Sequence, residues 1–547
     1  MLLTLAALLL QSAMPAQLRQ SAEPQARRAQ ARFESIRRSN LPRVRGTGQP
    51  NPCRISIGRL CYWHDSTDVH RVPDPRSIVI ARARLIETLD SLAVADPANA
   101  WIAGQRVRYL VEGERWDDAI AAADACVSRG WWCAALRGLA LHAAQRYADA
   151  DTAFSAALAA MSPEERCDWT DLRTVVWPRV ARELGHADCA QRQAAADRLW
   201  ALAQPTWTTS GNEVRTEHYA RRTMALIRGD GADAQRLFGS DMRESMIRYG
   251  WPEWYSRDDD SYASAFAEPS VTSHDREPSF ALFPDVASSN ASVHAADWRV
   301  NDDVAPSRYA PRRVTALLAL PHQLARFPRG DSMLVVLTYA IDDTLLSGDD
   351  VSPILGFLDG TRPSMTGRRT GQCSLALMMP RRSATISAEL YGTRTERLAR
   401  ARYTIDSLPG SWALSDLLLF SPNGDSVERA LESVVPMALV ALRQSPSAPL
   451  GIAWQLRASG TTPSIWNDVR IEPIHVNRLR RIAARVKLAR TPDIIHVRWQ
   501  SQAADTAMRT LTLHLPDNAR GRYRITLSIE NRGATLASSS REIELVP

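Results

Sequence analysis

A short internal repeat limits the folds that this chain can adopt. The pentapeptide RWDDA at 115–119 recurs as RYADA at 146–150, an offset of 31 residues. Apolar and small residues of the second copy fall on one helical face: Tyr147, Ala150, Phe154 and Leu158. Helices of this kind bury that face only by stacking on neighbouring units. The sequence therefore predicts a short array of helical hairpins over residues 76–205.

The repeat resembles the tetratricopeptide repeat, in which small residues lie where two helices approach and an aromatic residue lies at the turn between them. Ala103 and Leu110 recur at the same offset, as Ala134 and Leu141. Because the usual period is about 34 residues, we expect a shorter loop between copies. We also expect a third, degenerate unit at 168–203. The resemblance implies a concave groove that binds a protein or peptide partner.

Two pairs of closely spaced cysteines indicate an oxidising compartment. Cys53 lies near Cys61 in the chain, and Cys126 lies near Cys133. In an exported protein such pairs are typical of disulfides. Zinc sites usually have about two to four residues between paired ligands, which is fewer than either pair has. We therefore expect two disulfides here and no zinc.

The remaining cysteines lead to a different expectation. A helix of about 16 residues between Cys167 and Cys189 would hold them about 24 Å apart, which is too far for a disulfide. Cys373 has no near neighbour among the cysteines. We expect it to be a buried free thiol, since free cysteine behaves as a small apolar residue.

The segment 1–16 is interpreted as a secretory signal peptide. Leu2–Leu10 form an apolar run that is far shorter than the roughly 18 residues of a membrane-spanning helix. Small residues follow at Ser12, Ala13 and Ala16, although no Lys or Arg precedes the run and Met14 departs from the usual cleavage pattern. Together with the paired cysteines, this predicts an exported protein that is periplasmic, extracellular or otherwise associated with the envelope.

Arginine is concentrated in the segment 17–50. This stretch has eight arginines against two glutamates, so it carries +6 of the net charge of +7. It lacks apolar periodicity, which predicts a disordered, solvated arm. The alternative is an arm that contacts a membrane surface or another anionic polymer. Lys487 is the only lysine, and a phosphate-binding surface would use both basic residues, so we expect no nucleic-acid partner.

Residues 51–75 form a segment that is bracketed by cysteines and ends at prolines. Its HDSTDVH stretch contains the residues closest to a metal-ligand pattern: His64, Asp65, Asp68 and His70. In a tight loop they could converge on a divalent ion, but no HExxH helix or other ligand motif accompanies them. A polar surface loop beside a disulfide is the favoured interpretation.

The stretches 199–222 and 237–256 resemble the GWxTD domain of bacterial exported proteins. The matching residues are Leu199, Trp200, Pro205, Asn212, Glu213, Arg215, Glu217, His218, Tyr219, Arg221, Arg222, Tyr249, Gly250 and Pro252. The motif that names the family is degenerate here, because Phe-Gly-Ser-Asp stands at 238–241 in its place. The resemblance implies export and a domain organisation, in which the GWxTD-like segment and a linker span 206–311. It implies no activity, because none is established for the family. Residues 257–312 are rich in Asp, Ser, Ala and Pro, which predicts a long irregular connection there.

The rest of the chain predicts antiparallel β-structure. Short apolar or alternating runs, separated by Gly, Pro, Asp and Ser, are expected to be strands at 333–340, 354–358, 374–379, 384–391, 398–405, 412–420, 450–456, 482–488, 494–499, 511–515, 523–529 and 541–546. Two β-sandwiches, at 312–430 and 431–547, accommodate them. The expected fold class is therefore multidomain α + β, with a helical-repeat array, a mixed middle segment and C-terminal antiparallel sandwiches.

Histidine and serine patterns in the chain favour structural interpretations. His218 could act as a general base only with an orienting partner and a pocket. Its neighbours Glu217, Arg221 and Arg222 are expected to form an ion-pair lattice on a helix surface. The Gly-Asp-Ser tripeptides at 330–332 and 424–426 resemble the nucleophile motif of one esterase class. Neither follows a buried strand and precedes a helix, as that motif requires.

Two further patterns have structural alternatives. The acidic stretch 342–350 lacks the alternating register of a calcium loop and is expected to be a hairpin turn. Trp131, Trp132, Trp251 and Trp254 could line a ligand groove, although packing in a core is the commoner use of tryptophan. We therefore assign no catalytic, cofactor-binding or metal-binding residue and expect no cofactor.

The organisation as a whole favours a non-catalytic interaction or scaffolding protein of the bacterial cell envelope, with a partner that the sequence leaves open. The alternative is an envelope hydrolase with its site in the GWxTD-like segment. The two differ in one observable: substitution of Glu217, His218 and Arg222 by alanine should abolish turnover in an enzyme but leave a scaffold folded and able to bind.

Overall fold

The structure is a computed structural model that describes residues 16–44, 53, 55–62, 70–128, 130–234, 238–258, 271–274, 305–340, 351–359, 362–364, 368–371, 373–408, 412–422, 430–458, 464–474, 494–502 and 508–546. These residues divide into two compact units. Unit 1 holds the described residues up to Arg312 except 206–208, and unit 2 holds 206–208 and the described residues from Arg313 onward. The chain is thus a multidomain protein with both helices and sheets, as predicted.

Unit 1 is mainly helical. Its helices are α1 (Ala16–Asn40), α2 (Arg76–Ala95), α3 (Ala100–Glu112), α4 (Trp116–Asp124), α5 (Trp132–Ala143), α6 (Tyr147–Ala160), α7 (Pro163–Trp169), α8 (Pro178–Gly185), α9 (Cys189–Ala203), α10 (Glu213–Gly229) and α11 (Ser240–Tyr249). Local capping fixes several of their starts, because an acceptor side chain satisfies a free N–H of the first turn. Asn99 caps α3, and Asn212 caps α10. Ser162 and Asp188 form capping boxes on α7 and α9.

The arginine-rich segment is helical, so the expectation of a disordered arm is wrong for residues 16–40. The buried face of α1 contains Ala22, Ala26 and Phe33, but also Gln30, Glu34 and Arg37. These residues repeat at helical spacing. Because half of the stripe is polar, the sequence shows no apolar periodicity there. The polar members are buried with partners from other helices, which only the folded chain provides.

The two copies of the sequence repeat begin in the same way. Glu114 and Gln145 stand 31 positions apart, immediately before the RWDDA and RYADA pentapeptides, and both have positive φ, 56° and 62°. The turn before α4 and the turn before α6 therefore each contain a residue in the left-handed conformation at the equivalent position. Gly138 of α5 lies against α6, where an added Cβ would come within 2.7 Å of the Phe154 ring. The small residue permits this close approach of the two helices.

Three disulfides occur in unit 1. Cys53–Cys61 and Cys126–Cys133 confirm the two predicted pairs. The prediction that Cys167 and Cys189 are too far apart to bridge is wrong, because they too are bonded, with Cα atoms 5.7 Å apart. No single helix lies between them. The chain leaves α7 after Trp169, forms the short α8 from Pro178 and reverses again before α9.

Cys373 is a free thiol but is exposed, so its expected burial is wrong. It lies one residue before a strand whose buried positions begin at Ser374. Its backbone carbonyl accepts a hydrogen bond from the Tyr339 N–H. The side chain is therefore exposed just before the start of β12, outside the core.

Short strands complete unit 1. They are β1 (Arg43–Val44), β2 (Ile55–Ile57), β3 (Leu60–Tyr62), β4 (Trp254–Asp258) and β5 (Val271–His274). The strands β2 and β3 form the hairpin of the disulfide-bracketed segment, and β1, β4 and β5 form a small sheet. The expectation of an irregular connection from residue 257 is therefore wrong at β5. The ring of Tyr62 stacks on Tyr249, with centroids 3.7 Å apart, and fixes the hairpin against α11.

Unit 2 is formed almost entirely from strands. They are β6 (Ala316–Ala319), β7 (His322–Arg329), β8 (Ser332–Tyr339), β9 (Val351–Asp359), β10 (Arg362–Ser364), β11 (Arg368–Gly371), β12 (Ser374–Pro380), β13 (Ala384–Gly392), β14 (Arg397–Ile405), β15 (Trp412–Leu414), β16 (Leu418–Phe420), β17 (Arg443–Gln444), β18 (Leu450–Trp454), β19 (Leu456–Ala458), β20 (Ile465–Pro473), β21 (Ile495–Ser501), β22 (Arg509–Leu513), β23 (Gly521–Asn531) and β24 (Ala534–Leu545). A one-turn helix, α12 (Leu431–Val434), precedes a 3₁₀ turn at Val435–Met437.

The sheets of unit 2 contribute to three apolar clusters: two join a five-stranded sheet to a smaller sheet, and the third joins the four-stranded sheet to the three-stranded one. The five-stranded sheet β10-β9-β13-β14-β6 and the four-stranded sheet β11-β12-β8-β7 contribute to one apolar cluster. The five-stranded sheet β17-β24-β23-β20-β21 and the three-stranded sheet β16-β18-β22 contribute to a second. Most neighbouring strands are antiparallel, while β6–β14 and β17–β24 are parallel. The predicted alternation in β23 is confirmed, since its buried side chains are Tyr523, Ile525, Leu527 and Ile529.

Several predicted strands differ from the structure. The run 412–420 is two strands, because the backbone bends at Ser415–Leu417, where Asp416 accepts hydrogen bonds from the N–H and guanidinium of Arg326. The strands β7 and β20 were not predicted, since Gln323 in β7 and Asn467 in β20 are buried polar residues that interrupt the apolar pattern. The predicted strand 482–488 lies outside the described residues.

A buried ion pair lies in the five-stranded sheet that contains β13 and β14. Glu389 of β13 and Arg402 of β14 are fully buried and 2.7 Å apart. The segment 206–208 completes the site: the Thr206 hydroxyl and the Trp207 N–H donate to Glu389 at 2.7 and 2.9 Å. The Trp207 ring lies 4.4 Å from the Arg402 guanidinium. This segment, which follows the first GWxTD-like residues, is thus a structural part of unit 2.

Candidate functional site

A cleft of about 890 Å³ lies in unit 1, which is within the volume range of ligand sites. Glu112 at the end of α3, His142 at the end of α5 and Glu217 on α10 contribute to its walls. The turn after α11, with Trp251, contributes another part of the lining. The cleft therefore lies where α3 and α5 meet α10 and the turn after α11. Helix ends and a turn, held by packed helices, position its polar groups.

Every arginine that lines the cleft lies beside a lining carboxylate. The pairs are Arg37–Glu112, Arg71–Glu114 (2.8 Å), Arg82–Asp74, Arg221–Glu217 (2.5 Å) and Arg312–Glu253 (3.8 Å). Four of the pairs share hydrogen bonds, which orient both partners because charge-assisted hydrogen bonds are strong and directional, whereas Arg312 and Glu253 make only an ionic contact with each other. The polar walls are therefore largely fixed before any ligand binds.

Arg221 is the most completely bonded of these arginines. It is 1% exposed, and each of its five N–H groups donates a hydrogen bond. Two go to Glu217 Oε1, at 3.1 and 2.5 Å, and three go to the carbonyls of Ile247, Arg248 and Arg308. The predicted i,i+4 pair with Glu217 exists, but it is buried, so its expected place on a helix surface is wrong.

The turn after α11 depends on Gly250. Its φ of 105° lies in a region that residues with a Cβ rarely adopt. A Cβ here would also lie 3.5 Å from Nη2 of Arg221. The Tyr-Gly-x-Pro turn of the GWxTD-like segment thus packs directly on the guanidinium that holds Glu217, and it places Trp251 in the cleft wall.

Glu213 lies one helical turn before Glu217 and has a different environment. It accepts a hydrogen bond from the backbone N–H of Arg312, and it is 5% exposed. Burial raises the pKa of Tyr147 well above its usual value, and a hydrogen bond to the Glu213 carboxylate raises it further. Both residues line the cleft. Tyr147 is therefore a neutral phenol that donates to an anion.

The four tryptophans proposed as a groove are divided between two places. Trp251 and Trp254 line the cleft, together with Trp116. Trp254 stacks on His274 with centroids 3.6 Å apart, whereas Trp251 is only half-buried. Trp131 and Trp132 contact each other instead, and their indole N–H groups donate to Glu165 and to the Ala100 carbonyl. Half of the four predicted tryptophans therefore line the cleft, and Trp116 was missed.

His218 is fully buried and is not among the residues that line the cleft. Its Nδ1 lies 3.3 Å from the Tyr309 hydroxyl, and its ring lies 5.0 Å from that of Trp200. Burial lowers the pKa of His218 well below its usual value, and the charges of Arg222 and Arg221 lower it further. The residue is therefore a neutral core histidine at neutral pH.

Behind the cleft lies a network of buried charges that the sequence did not indicate. Arg108 donates to Glu34, Glu112 and Asp233 at 3.2, 2.8 and 3.0 Å. Arg37 also donates to Glu112. Burial alone would raise the pKa of Glu112, but Arg37 and Arg108 outweigh it and hold that pKa below its usual range. The network thus supports a cleft carboxylate that stays ionised.

Burial has the opposite result at Glu34. It raises the pKa of this carboxyl, and the opposing charges of Arg37 and Arg108 do not fully compensate. Glu34 accepts a hydrogen bond from the Tyr109 hydroxyl at 2.6 Å. Helix α1 thus enters the network through Glu34 and Arg37. Their contribution could not be anticipated while the segment was interpreted as a disordered arm.

The remaining sequence candidates are not brought together. His70 is exposed, and residues 63–69, with His64, Asp65 and Asp68, lie outside the described residues. The tripeptide at 330–332 spans the turn between β7 and β8, while 342–350 and 424–426 also lie outside them. Among the described residues, no group of three or more His, Cys, Asp and Glu side chains could hold a metal ion. Within the same part of the chain, no helix has the length and apolar character needed to cross a membrane.

Comparison with known proteins leaves this chain without a family. No family model matches it, and no curated protein does. Among solved structures, the chain is similar to red sea bream transglutaminase, with 9% identity and a TM-score of 0.14 over 42% of this chain. The matched part spans 31% of that transglutaminase. A likeness this weak carries no argument about fold or activity, so the function must be argued from the cleft itself.

Proposed function

We propose that the chain is a non-catalytic binding and scaffolding protein of a bacterial cell envelope, and that its cleft takes a peptide or protein segment. The observation that carries this proposal is the pairing of all five lining arginines with carboxylates around a cleft of about 890 Å³. Walls that are ordered in advance favour binding, because less conformational entropy is lost when a ligand is held.

The domain assignments belong to the same proposal. A tetratricopeptide-like array is supported by the matching turns at Glu114 and Gln145. A GWxTD-like segment is supported by the contact of Gly250 with Arg221, which joins two of the positions that match the pattern. Two β-sandwiches are supported by the two sheet pairs of unit 2, each with a shared core. Repeats of this kind present concave surfaces to extended partners.

An envelope location is supported by the three disulfides, since such bonds persist in oxidising compartments. The test is fractionation of a bacterial host that expresses the full chain, followed by detection in the cytoplasmic and envelope fractions. Recovery of the protein only in the cytoplasm, with all cysteines reduced, would contradict the location and leave the binding proposal standing.

The binding proposal is tested with the full chain and a defined library of fluorescent peptides, measured by fluorescence anisotropy. We expect saturable binding that weakens about tenfold or more in Trp251→Ala, since half-buried aromatic side chains commonly dominate binding energy. Trp466→Ala is the matched control, because Trp466 is partly exposed on β20 of unit 2. Absence of binding to every peptide, or equal weakening in both variants, would overturn the proposal.

The hydrolase alternative is distinguished in the same experiment. Glu213 and Glu217 of the GWxTD-like segment line the cleft, which is the observation that favours it. Mass spectrometry of the peptides after long incubation would detect cleavage. Cleavage that is lost in Glu217→Gln, but retained in an exposed-site control, would identify an enzyme. Intact peptides together with saturable binding support the non-catalytic function.

A further inference from the structure

We infer that the cleft recognises a cationic side chain, a lysine or arginine of the bound peptide, through Glu217 beside Trp251. This inference rests on the proposed function and adds the chemical class of the ligand. The lining contains six carboxylates and five arginines, so its net charge is negative. A negative, partly apolar cleft attracts a cation that also carries an aliphatic stem.

Glu217 has a hydrogen-bonding position left for a ligand. It is 9% exposed, and both hydrogen bonds from Arg221 go to one oxygen, Oε1. Within the described part of the chain, its other oxygen, Oε2, accepts no hydrogen bond. An ionised carboxylate can accept at both oxygens. Since Glu217 lines the cleft, this acceptor position can be filled by an N–H donor that a ligand brings.

The arginine beside it cannot serve an anionic ligand. All five N–H groups of Arg221 already donate hydrogen bonds. Three of these bonds go to backbone carbonyls, which are fixed in position by the fold. Glu112, which also lines the cleft and pairs with an arginine, differs from Glu217. Both of its oxygens accept hydrogen bonds, one from Arg37 and the other from Arg108. Around Arg221, the hydrogen-bonding position that remains available is therefore an acceptor, Oε2 of Glu217. An acceptor selects for a ligand that carries an N–H donor.

Aromatic side chains supply the second contact. Trp251 follows Gly250, which packs on the Arg221 guanidinium that holds Glu217, and both Trp251 and Glu217 line the cleft. Trp116 lines the cleft as well, and both rings are only half-buried. Aromatic faces attract ammonium and guanidinium groups, and they also pack against the methylene stem of such side chains. A carboxylate and indoles that line one cleft fit a lysine or arginine side chain.

The test uses the full chain and four fluorescent peptides that differ at one central residue: lysine, arginine, acetyl-lysine and norleucine. Fluorescence anisotropy should show binding of the first two, and at least about tenfold weaker binding of the neutral two, because a desolvated carboxylate loses its partner. Added salt should weaken only the first two. Since these comparisons use the unmodified protein, they do not depend on whether a variant folds.

Glu217→Gln provides the corresponding change in the protein. It should weaken lysine-peptide binding about tenfold or more, and weaken norleucine-peptide binding by a clearly smaller factor. Glu183→Gln is the matched control, because Glu183 forms an exposed pair with Arg179 at 3.0 Å on α8. Acetyl-lysine binding as tight as lysine would overturn the cationic specificity while the peptide-binding function stands. Failure of all four peptides, and of the wider library, would overturn the function itself.

Discussion

Arg108 and Asp233 form an ion pair at 3.0 Å although they stand 125 positions apart in the chain. Both side chains are at most 1% exposed. Asp233 also accepts from Arg228 at 2.5 and 2.6 Å, so one carboxylate fastens α3 to the segment that follows α10. This contact lies behind the cleft, because Arg108 also donates to the lining residue Glu112.

Asp233→Asn should therefore destabilise the protein strongly. Removing the charge leaves two buried guanidinium groups under-compensated, and breaking a buried pair typically costs about 3–5 kcal/mol. Urea unfolding followed by circular dichroism measures the loss. The matched control is Asp118→Asn, whose partner Arg115 lies at 2.7 Å with both side chains about half exposed; it should cost less than about 1 kcal/mol. Equal effects of the two substitutions would show that the network does not stabilise unit 1.

Gly250→Ala should be destabilising by about 1–2 kcal/mol, because alanine at a φ of 105° meets a steric penalty that glycine avoids. The substitution also places a methyl group beside Arg221 and should displace Trp251. Thermal unfolding and peptide binding are the two measurements. Gly185→Ala is the control, since Gly185 ends α8 and an added Cβ there has no neighbour within 4 Å. A fully stable Gly250→Ala variant would contradict the assigned backbone conformation.

His218 should make unit 1 sensitive to acid. Its pKa is lowered by burial in the folded state, so below its ordinary value of 6.5 the unfolded chain binds a proton that the folded chain does not. The stability it contributes is therefore complete above about pH 6.5 and is lost as the pH falls. We expect at least about 1 kcal/mol of loss between pH 7.5 and 5, since each unit of pKa shift is worth about 1.4 kcal/mol.

His218→Gln should reduce that slope, whatever its effect on stability at neutral pH. The slope is measured as the free energy of unfolding in urea at several pH values. Exposed His186, at the end of α8, is the control for loss of a histidine in the same unit. An unchanged pH dependence in His218→Gln would mean that the imidazole is not held neutral by the fold.

The free cysteine and the six disulfide-bonded cysteines should be distinguishable by alkylation and peptide mapping. Alkylation of the native protein should modify Cys373, which is exposed, and proteolysis without reduction should recover three linked peptide pairs. Replacing both Cys167 and Cys189 by alanine should cost about 3 kcal/mol, because that bond closes a loop with a sequence separation of 22. Recovery of Cys167 as a free thiol from the oxidised native protein would refute this bond.

Glu389→Gln should destabilise unit 2. The substitution leaves the buried Arg402 without its counter-charge, and we expect a loss of about 3–5 kcal/mol. Trp207 fluorescence should report the change, since its ring lies over the Arg402 guanidinium. Glu544→Gln is the control in the same unit, because its pair with Arg443 is largely exposed. Similar unfolding midpoints for the two variants would contradict a structural role of the buried pair.

Part of the candidate site could be predicted from the sequence. The GWxTD-like pattern directs attention to Glu213, Glu217, Arg221 and Gly250, and all four lie in or beside the cleft. Their roles could not be predicted, because an i,i+4 pair such as Glu217–Arg221 has the same spacing on an exposed helix as in a core. Arg37 and Trp116 carry no sequence pattern that identifies them, since each becomes part of the cleft only through contacts with distant helices.

The sequence by itself determined the features that depend on local order. The 31-residue offset specified two equivalent helix starts, alternation specified the buried face of β23, and near-neighbour cysteines specified two disulfides. Only the tertiary structure decided that α1 is ordered, that Cys167 reaches Cys189, and that charged residues lie in the core. The physical reason is that a buried charge is tolerable only when a partner of opposite charge is present. For Arg108 that partner is 125 residues away, so no local pattern could reveal it.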